Sequence, residues 1–337
     1  DNAMNLIDNI IPAPSRSSEI KALLMGQQAC FDAGLTTVTD AGLDLSTILL
    51  IDSLQKTGDL TIRVYAMANP TDENFEYFKK NGPIANDKLQ VSSFKLYADG
   101  ALGSRGAKLK QPYCDHAGHS GVWVTEPNQL VKLCQQVYDL NFQANTHCIG
   151  DSANKRVLEI YGEFLKGKND KRWRIEHAQV VTPEDRALFS KYSIIPSVQP
   201  THATSDMRWA DKRLCNTRMN GAYAYKSLLA LNGWMPLGTD FPVEDISPLK
   251  TFFAAVYRQD TKNQPMGGFQ MEEALSPKEA LLGMTLWAAR GNTMEQKIGS
   301  LEKGKLADFV ILAEDIYPEK YMLKTKVTGT YLEGIKK

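Results

Sequence analysis

The sequence is poor in the features that mark several large classes of protein. It carries no excess charge: Lys+Arg and Asp+Glu each total 39 over 337 residues, so neither nucleic acid nor an anionic membrane is favoured as a partner. No apolar run is long enough to cross a bilayer, so no membrane partner is expected. The five cysteines (Cys30, Cys114, Cys134, Cys148 and Cys215) are odd in number and show no CxxC spacing, which argues against a disulfide framework and fits reduced thiols. A phosphate-binding glycine fingerprint is missing, because Gly100-Ala101-Leu102-Gly103 lacks the third glycine. There are no internal repeats or low-complexity tracts. Histidine is scarce, at five, and no two are spaced as His-x-His. Asp1-Asn2-Ala3-Met4 reads as a short scar ahead of a start methionine and is set aside. Localisation is therefore not legible.

What is present is an alternation of two periodicities. Helix-like stretches fall at 19–33, 45–56, 73–80, 129–140, 152–165, 183–191, 225–231 and 248–258. Short strand-like runs lie between them at 35–39, 61–66, 91–96, 142–146, 173–176, 194–198 and 235–239. Strands alternating with helices imply a parallel sheet with right-handed crossovers. Seven such strands, preceded by an unpaired helix, match an α/β fold of the TIM (β/α)8 type that lacks strand 1. An open doubly wound sheet is the alternative. A further helix is expected at 277–290. Beyond it, turn residues bracket short β-rich runs, so the expected division is a barrel over 5–298 and a small C-terminal β element over 299–337.

Four residues of metal-ligating type sit at the ends of expected strands: Lys95, His147, His177 and Asp240. A parallel barrel collects such positions at one rim, where a cation can be held and a water activated. Each has an ordinary alternative. Lys95 can pair with a neighbouring acid such as Asp99, a lone strand-end histidine can be a satisfied rim group, and Asp240 can cap the next segment. Arg105 and His202 lie on loops after strands and are candidates for substrate contact, or else salt-bridge partners. Cys114, His116 and His119 are too few and too close for a closed zinc site and are read as a solvent-facing turn. Trp123, Trp209 and Trp234 are read as packing groups.

Together these segments resemble the amidohydrolase superfamily, in its family-3, YtcJ-like branch. The resemblance is carried by Ala33-Gly34-Leu35-Thr36-Thr37-Val38-Thr39-Asp40 and by Lys95-Leu96-Tyr97-Ala98-Asp99-Gly100-Ala101-Leu102-Gly103-Ser104-Arg105. It continues through His147-Cys148-Ile149-Gly150-Asp151, Arg174-Ile175-Glu176-His177-Ala178-Gln179 and Gln199-Pro200-Thr201-His202-Ala203-Thr204-Ser205-Asp206-Met207. The last blocks are Gly238-Thr239-Asp240-Phe241-Pro242-Val243-Glu244 and Gly304-Lys305-Leu306-Ala307-Asp308.

The resemblance implies hydrolysis of a non-peptide C–N bond in a small amide, formamide or cyclic amide. It implies divalent metal, with Zn²⁺ expected, held by Lys95 as a CO₂-derived carbamate, by His147 and His177, and by Asp240. Asp240 would also move the proton from water to the leaving nitrogen, and Arg105 and His202 would contact substrate. The family pattern opens on a His-x-His strand that this sequence does not contain. The expectation is therefore an N-terminally truncated member binding at most one ion where the full-length family holds one or two. Without metal, Lys95 should be unmodified and paired with an acid. The alternative is a folded but catalytically incomplete fragment. An open seam should favour a homodimer or coverage by Leu6–Ile11.

Overall fold

A computed structural model describes residues 10–317 and 323–337. Ser15 caps the first helix by accepting from the Ser18 amide, and α1 runs Arg16–Asp32. Then come β1 (Thr37–Leu43), α2 (Leu45–Thr57), β2 (Arg63–Ala68), α3 (Asp72–Asn81), β3 (Ile84–Ala85) and β4 (Leu89–Tyr97). The alternation continues with α4 (Pro127–Asp139), β5 (Gln143–Cys148), α5 (Asp151–Leu165), β6 (Arg174–His177), α6 (Ala187–Lys191) and β7 (Ile195–Ser197). After β7 the chain is helical: α7 (Pro200–Asp206), α8 (Ala210–Leu214), a 3₁₀ turn (Asn216–Gly221), α9 (Tyr225–Asn232) and α10 (Pro248–Tyr257).

The strands form a seven-stranded sheet in the order β1-β2-β4-β5-β6-β7, parallel throughout except for β3, which pairs antiparallel with β4. Register puts Lys95 beside Asn145, Tyr97 beside His147 and Cys148 beside His177, so the strand ends line up on one rim. The sheet is curled. Asn292 reaches both Arg174 of β6 (3.1 Å) and Thr39 of β1 (2.9 Å), and Tyr65 of β2 hydrogen-bonds to Gln143 of β5. Opposite ends of the strand order thus face each other across a polar interior.

Between sheet and helices lies the apolar layer. Phe75 and Phe78 of α3 pack on Phe94 and Phe142, with Phe75 and Phe94 stacked at 4.3 Å. Trp173 is fully buried against Tyr138, Tyr161 and Phe164. Each such side chain contributes about 1.5–3 kcal/mol by leaving water.

The α/β class and the curled parallel sheet agree with the sequence reading, but three details differ. The expected strand at 235–239 reduces to a single parallel bridge between Leu237 and Val198; Pro236 supplies no amide donor there. The expected helix at 277–290 is two, α11 (Pro277–Met284) and α12 (Leu286–Gly291), broken at Thr285, whose ψ of −94° leaves the helical region. The reading of all five cysteines as reduced is also corrected: Cys114 and Cys215, 101 residues apart, form a disulfide, while Cys30, Cys134 and Cys148 are free and buried. Their pairing follows from two loops meeting over the rim, a proximity that sequence spacing does not encode. Of the segment Leu6–Ile11, residues 6–9 lie outside the described residues, and Ile10 and Ile11 are exposed.

The C-terminal element is a three-stranded antiparallel sheet in the order β10-β9-β8, from β8 (Phe309–Leu312), β9 (Val327–Leu332) and β10 (Ile335–Lys336). It docks on the start of the chain. Thr330 donates to the Phe31 carbonyl at 2.6 Å, and a β-carbon on Gly34 would lie 3.2 Å from Val310 and Val327.

Candidate active site

Three of the five histidines and one aspartate converge above the C-terminal ends of the strands. Ligand-type atoms of His177, His202 and Asp240 all lie within 4.8 Å of one another, the only such group of three or more among the described residues. The His202 Nε2 to Asp240 Oδ2 distance is 3.5 Å, and the His177 and His202 rings are stacked with centroids 5.7 Å apart. The His147 ring stands edge-on to His177 at 4.6 Å.

Several features orient these groups. His177 Nδ1 sits 2.7 Å from Gln199 Oε1, so it donates there and leaves Nε2 as a lone pair facing the cluster. Tyr225 in turn donates to the Gln199 carbonyl at 3.1 Å. His177, Ala178 and Asp240 have φ of 73°, 42° and 58°, a left-handed conformation that costs non-glycine residues free energy and that clusters at functional sites. Behind His147, the Asp99 carboxylate accepts backbone amides from Lys108 (2.7 Å), Ile149 (2.9 Å) and Gly150 (2.8 Å). It thereby ties the loop after β4 to the start of α5.

Burial controls the charge state. Burial, then the neighbouring Lys95, depresses His147 to about 3. His202 falls to about 4 through burial, and His177 is held well below the ordinary range by burial and then by His147, Lys95 and His202. The imidazoles are therefore neutral near pH 7, as metal ligation or proton acceptance requires. Burial also lifts Asp240 to about 6, against the pull of Lys95, with Glu176 and Glu244 adding to the rise. Burial lowers the Lys95 ammonium, although Glu176 and Asp240 oppose that.

The sequence candidates thus divide. His177 and Asp240 are brought together, and His202, expected to meet substrate, joins them as a third ligand-type group. His147 is at the edge of the cluster, its Nε2 buried without a hydrogen-bond partner and 3.8 Å from Asp99. Lys95 is buried beneath, its amine 5.0 Å from the Tyr97 ring centroid. It makes no ion pair with Asp99, whose oxygens are taken by backbone amides. Arg105 is committed elsewhere: its guanidinium forms a two-pronged pair with Asp115 (3.0 Å each), which also holds Arg213. The turn expected at Cys114–His119 is part of this structure, with His119 Nε2 2.9 Å from the Arg105 carbonyl. Gln199 and the bracing role of Asp99 were missed. The one available signal was their position beside strand-end histidines, since a ligating imidazole needs an acceptor for its other nitrogen.

The residues present suit a divalent cation. His147 Nε2 and His202 Nε2 are buried polar atoms with no hydrogen-bond partner, and neutral imidazoles with a carboxylate are the donor set that such ions favour.

Comparison with known proteins identifies the class. The amidohydrolase family model matches residues 1–334, and the chain belongs to that family. It is 30% identical to Protein LONG AFTER FAR-RED 3 of Arabidopsis thaliana, over 99% of this chain and 60% of that protein. It is 28% identical to the putative amidohydrolase YtcJ of Bacillus subtilis strain 168, over 94% of this chain and 60% of that one. Among solved structures, an uncharacterized metal-dependent hydrolase from Pyrococcus horikoshii OT3 superposes with a TM-score of 0.81 at 27% identity, covering 90% of this chain and 62% of that one. The chain spans about 60% of the length of the curated relatives it matches.

Proposed function

We propose that this chain carries the catalytic rim of a metal-dependent hydrolase that cleaves a non-peptide C–N bond in a small amide, formamide or cyclic amide. The observation that carries the reading is the convergence of His177, His202 and Asp240 within 4.8 Å. Membership of the amidohydrolase family supports the amide-type substrate, and the archaeal neighbour's metal dependence supports the cation.

His177, His202 and Asp240 would hold a divalent ion, for which Zn²⁺ fits the nitrogen-rich donor set, with His147 and a carboxylated Lys95 as further ligands. Such an ion supplies Lewis acidity toward a carbonyl oxygen and lowers the pKa of water. Asp240 would accept a proton from the attacking water and return it to the leaving nitrogen. Gln199 keeps His177 in the tautomer that presents Nε2. Arg105 would serve at a distance, fixing the rim loop through Asp115.

The experiment is metal analysis with an amidase screen on wild type, His177→Ala and Asp240→Asn. Stoichiometric Zn²⁺ lost in His177→Ala, with turnover lost in both variants, supports the proposal. Metal without turnover toward amide, formamide and lactam panels refutes the substrate class. Absence of both supports a second reading, a folded chain that does not complete a metal site by itself. A homodimer fits an outer edge of β1 that has no strand partner among the described residues, and light scattering tests it.

A further inference from the structure

At the end of the strands opposite the catalytic rim lies a polar cavity of about 120 Å³. It opens where β6 and β7 begin, and its walls include Lys168, Asp170, Arg172, Ser193, Trp234 and Arg290. β6 connects the two ends: Arg172 lies two residues before its first residue and His177 is its last, so the separation is roughly 16 Å at the usual rise per residue. We propose that this cavity binds a small tetrahedral oxyanion, either inorganic phosphate or the terminal phosphate of a monoester.

Some of the charges in the wall are already satisfied and others are not. Arg172 is saturated, with Glu295 on one side (2.8 and 2.9 Å) and Asp170 on the other (2.9 Å). Asp170, the one carboxylate in the wall, is thereby neutralised. Lys168 and Arg290 are different, since neither forms an ion pair or side-chain hydrogen bond among the described residues. The Arg290 guanidinium instead lies over Trp234, 4.4 Å from the ring centroid, which holds it at the cavity while leaving its N–H groups free. The wall therefore presents two uncommitted cations.

Neutral groups complete the cradle. Asn169 and Asn232 are spent on the scaffold, donating to the Gly167, Tyr192 and Trp234 carbonyls. The Ser193 oxygen accepts the Asn169 amide at 3.2 Å, so its own proton is available to an acceptor in the cavity. Arg172 and Ser193 have φ of 56° and 52°, a conformation that L-residues avoid and that here places both side chains in the wall. The volume equals about four waters at ~30 Å³ each, enough for one oxyanion but not for a nucleotide. Lys168 and Arg290 are exposed, so a monoester's organic part can extend into solvent.

The test is calorimetric titration of the chelator-treated full chain with inorganic phosphate, repeated with glycerol phosphate. The expected result is one saturable site, weakened roughly tenfold or more in Lys168→Ala/Arg290→Gln and unchanged in His177→Ala. If the double variant does not fold, Lys168→Ala alone, at an exposed position, should still weaken binding at least about threefold. Phosphate bound with glycerol phosphate excluded assigns the site to the free ion; both bound assigns it to the phosphoryl group in general. No saturable binding, binding indifferent to Lys168 and Arg290, or binding abolished by His177→Ala overturns the proposal.

Discussion

Replacing Asp308 by alanine tests how the C-terminal sheet is held to the α/β body. Arg63, in β2, has no exposed side-chain surface; its Nε and Nη2 meet Asp308 at 3.0 and 3.3 Å, and Nη2 meets Glu333 at 2.7 Å. Burial works against the guanidinium charge, and Asp308 followed by Glu333 more than offsets it, raising the Arg63 pKa. Asp308 also accepts the Glu333 amide at 2.8 Å, so one carboxylate anchors both the arginine and the β9–β10 turn. Alanine at 308 would leave a buried cation with Glu333, which is 37% exposed, and the Asp87 carbonyl as acceptors. Removing one partner of a buried pair costs about 3–5 kcal/mol, and the surviving acceptors place the expectation near about 3 kcal/mol. Asp308→Asn keeps the shape and one acceptor oxygen and should cost about 1–2 kcal/mol. Arg63→Met/Asp308→Leu, which removes both charges, should be less destabilised than Asp308→Ala, because no uncompensated ion remains. Urea denaturation followed by circular dichroism measures all three. A cost under about 1 kcal/mol for Asp308→Ala, or a double variant worse than the single, would refute the reasoning.

Other consequences are open to measurement. A β-carbon on Gly150 would sit 2.0 Å from the Lys108 carbonyl oxygen, so Gly150→Ala should lose about 2–3 kcal/mol in the same denaturation assay; wild-type stability would show that the loop yields freely. Thiol titration of the denatured, unreduced protein should find three reactive groups, rising to five after reduction; five at the outset would exclude the Cys114–Cys215 bond. In the chain-entropy account a loop of about 100 residues corresponds to about 4–5 kcal/mol, so Cys114→Ser should lower the unfolding midpoint clearly. Burial lifts the Asp206 carboxyl from 3.8 to about 6, against hydrogen bonds from Tyr223 and Gln179. A raised acid favours the folded state below its unfolded pKa and loses that advantage as pH rises through the folded one. Wild-type stability relative to Asp206→Asn should therefore fall between about pH 4 and pH 6, and a flat or rising difference would contradict the shift.

Alternating patterns alone located the helices and most strands, because apolar periods of 2 and 3.6 residues are local properties of the chain. They also placed His147 and His177 at or next to strand ends, and so on one rim, because parallel strands in register bring like ends together, while Lys95 lies two residues before the end of β4. Contacts that depend on how the sheet curls were beyond that reading. Only tertiary structure joins His202 to His177 and Asp240, sets Gln199 against His177, and turns Arg105 away to Asp115. Only tertiary structure pairs Cys114 with Cys215, and Asp99 with three amides from two separate loops. The physical reason is the same in each case. A side chain's residue type fixes what it can bind, whereas its partner is fixed by distance, and residues 9 to 101 positions apart in these pairs become neighbours only when the chain between them folds around a common interior.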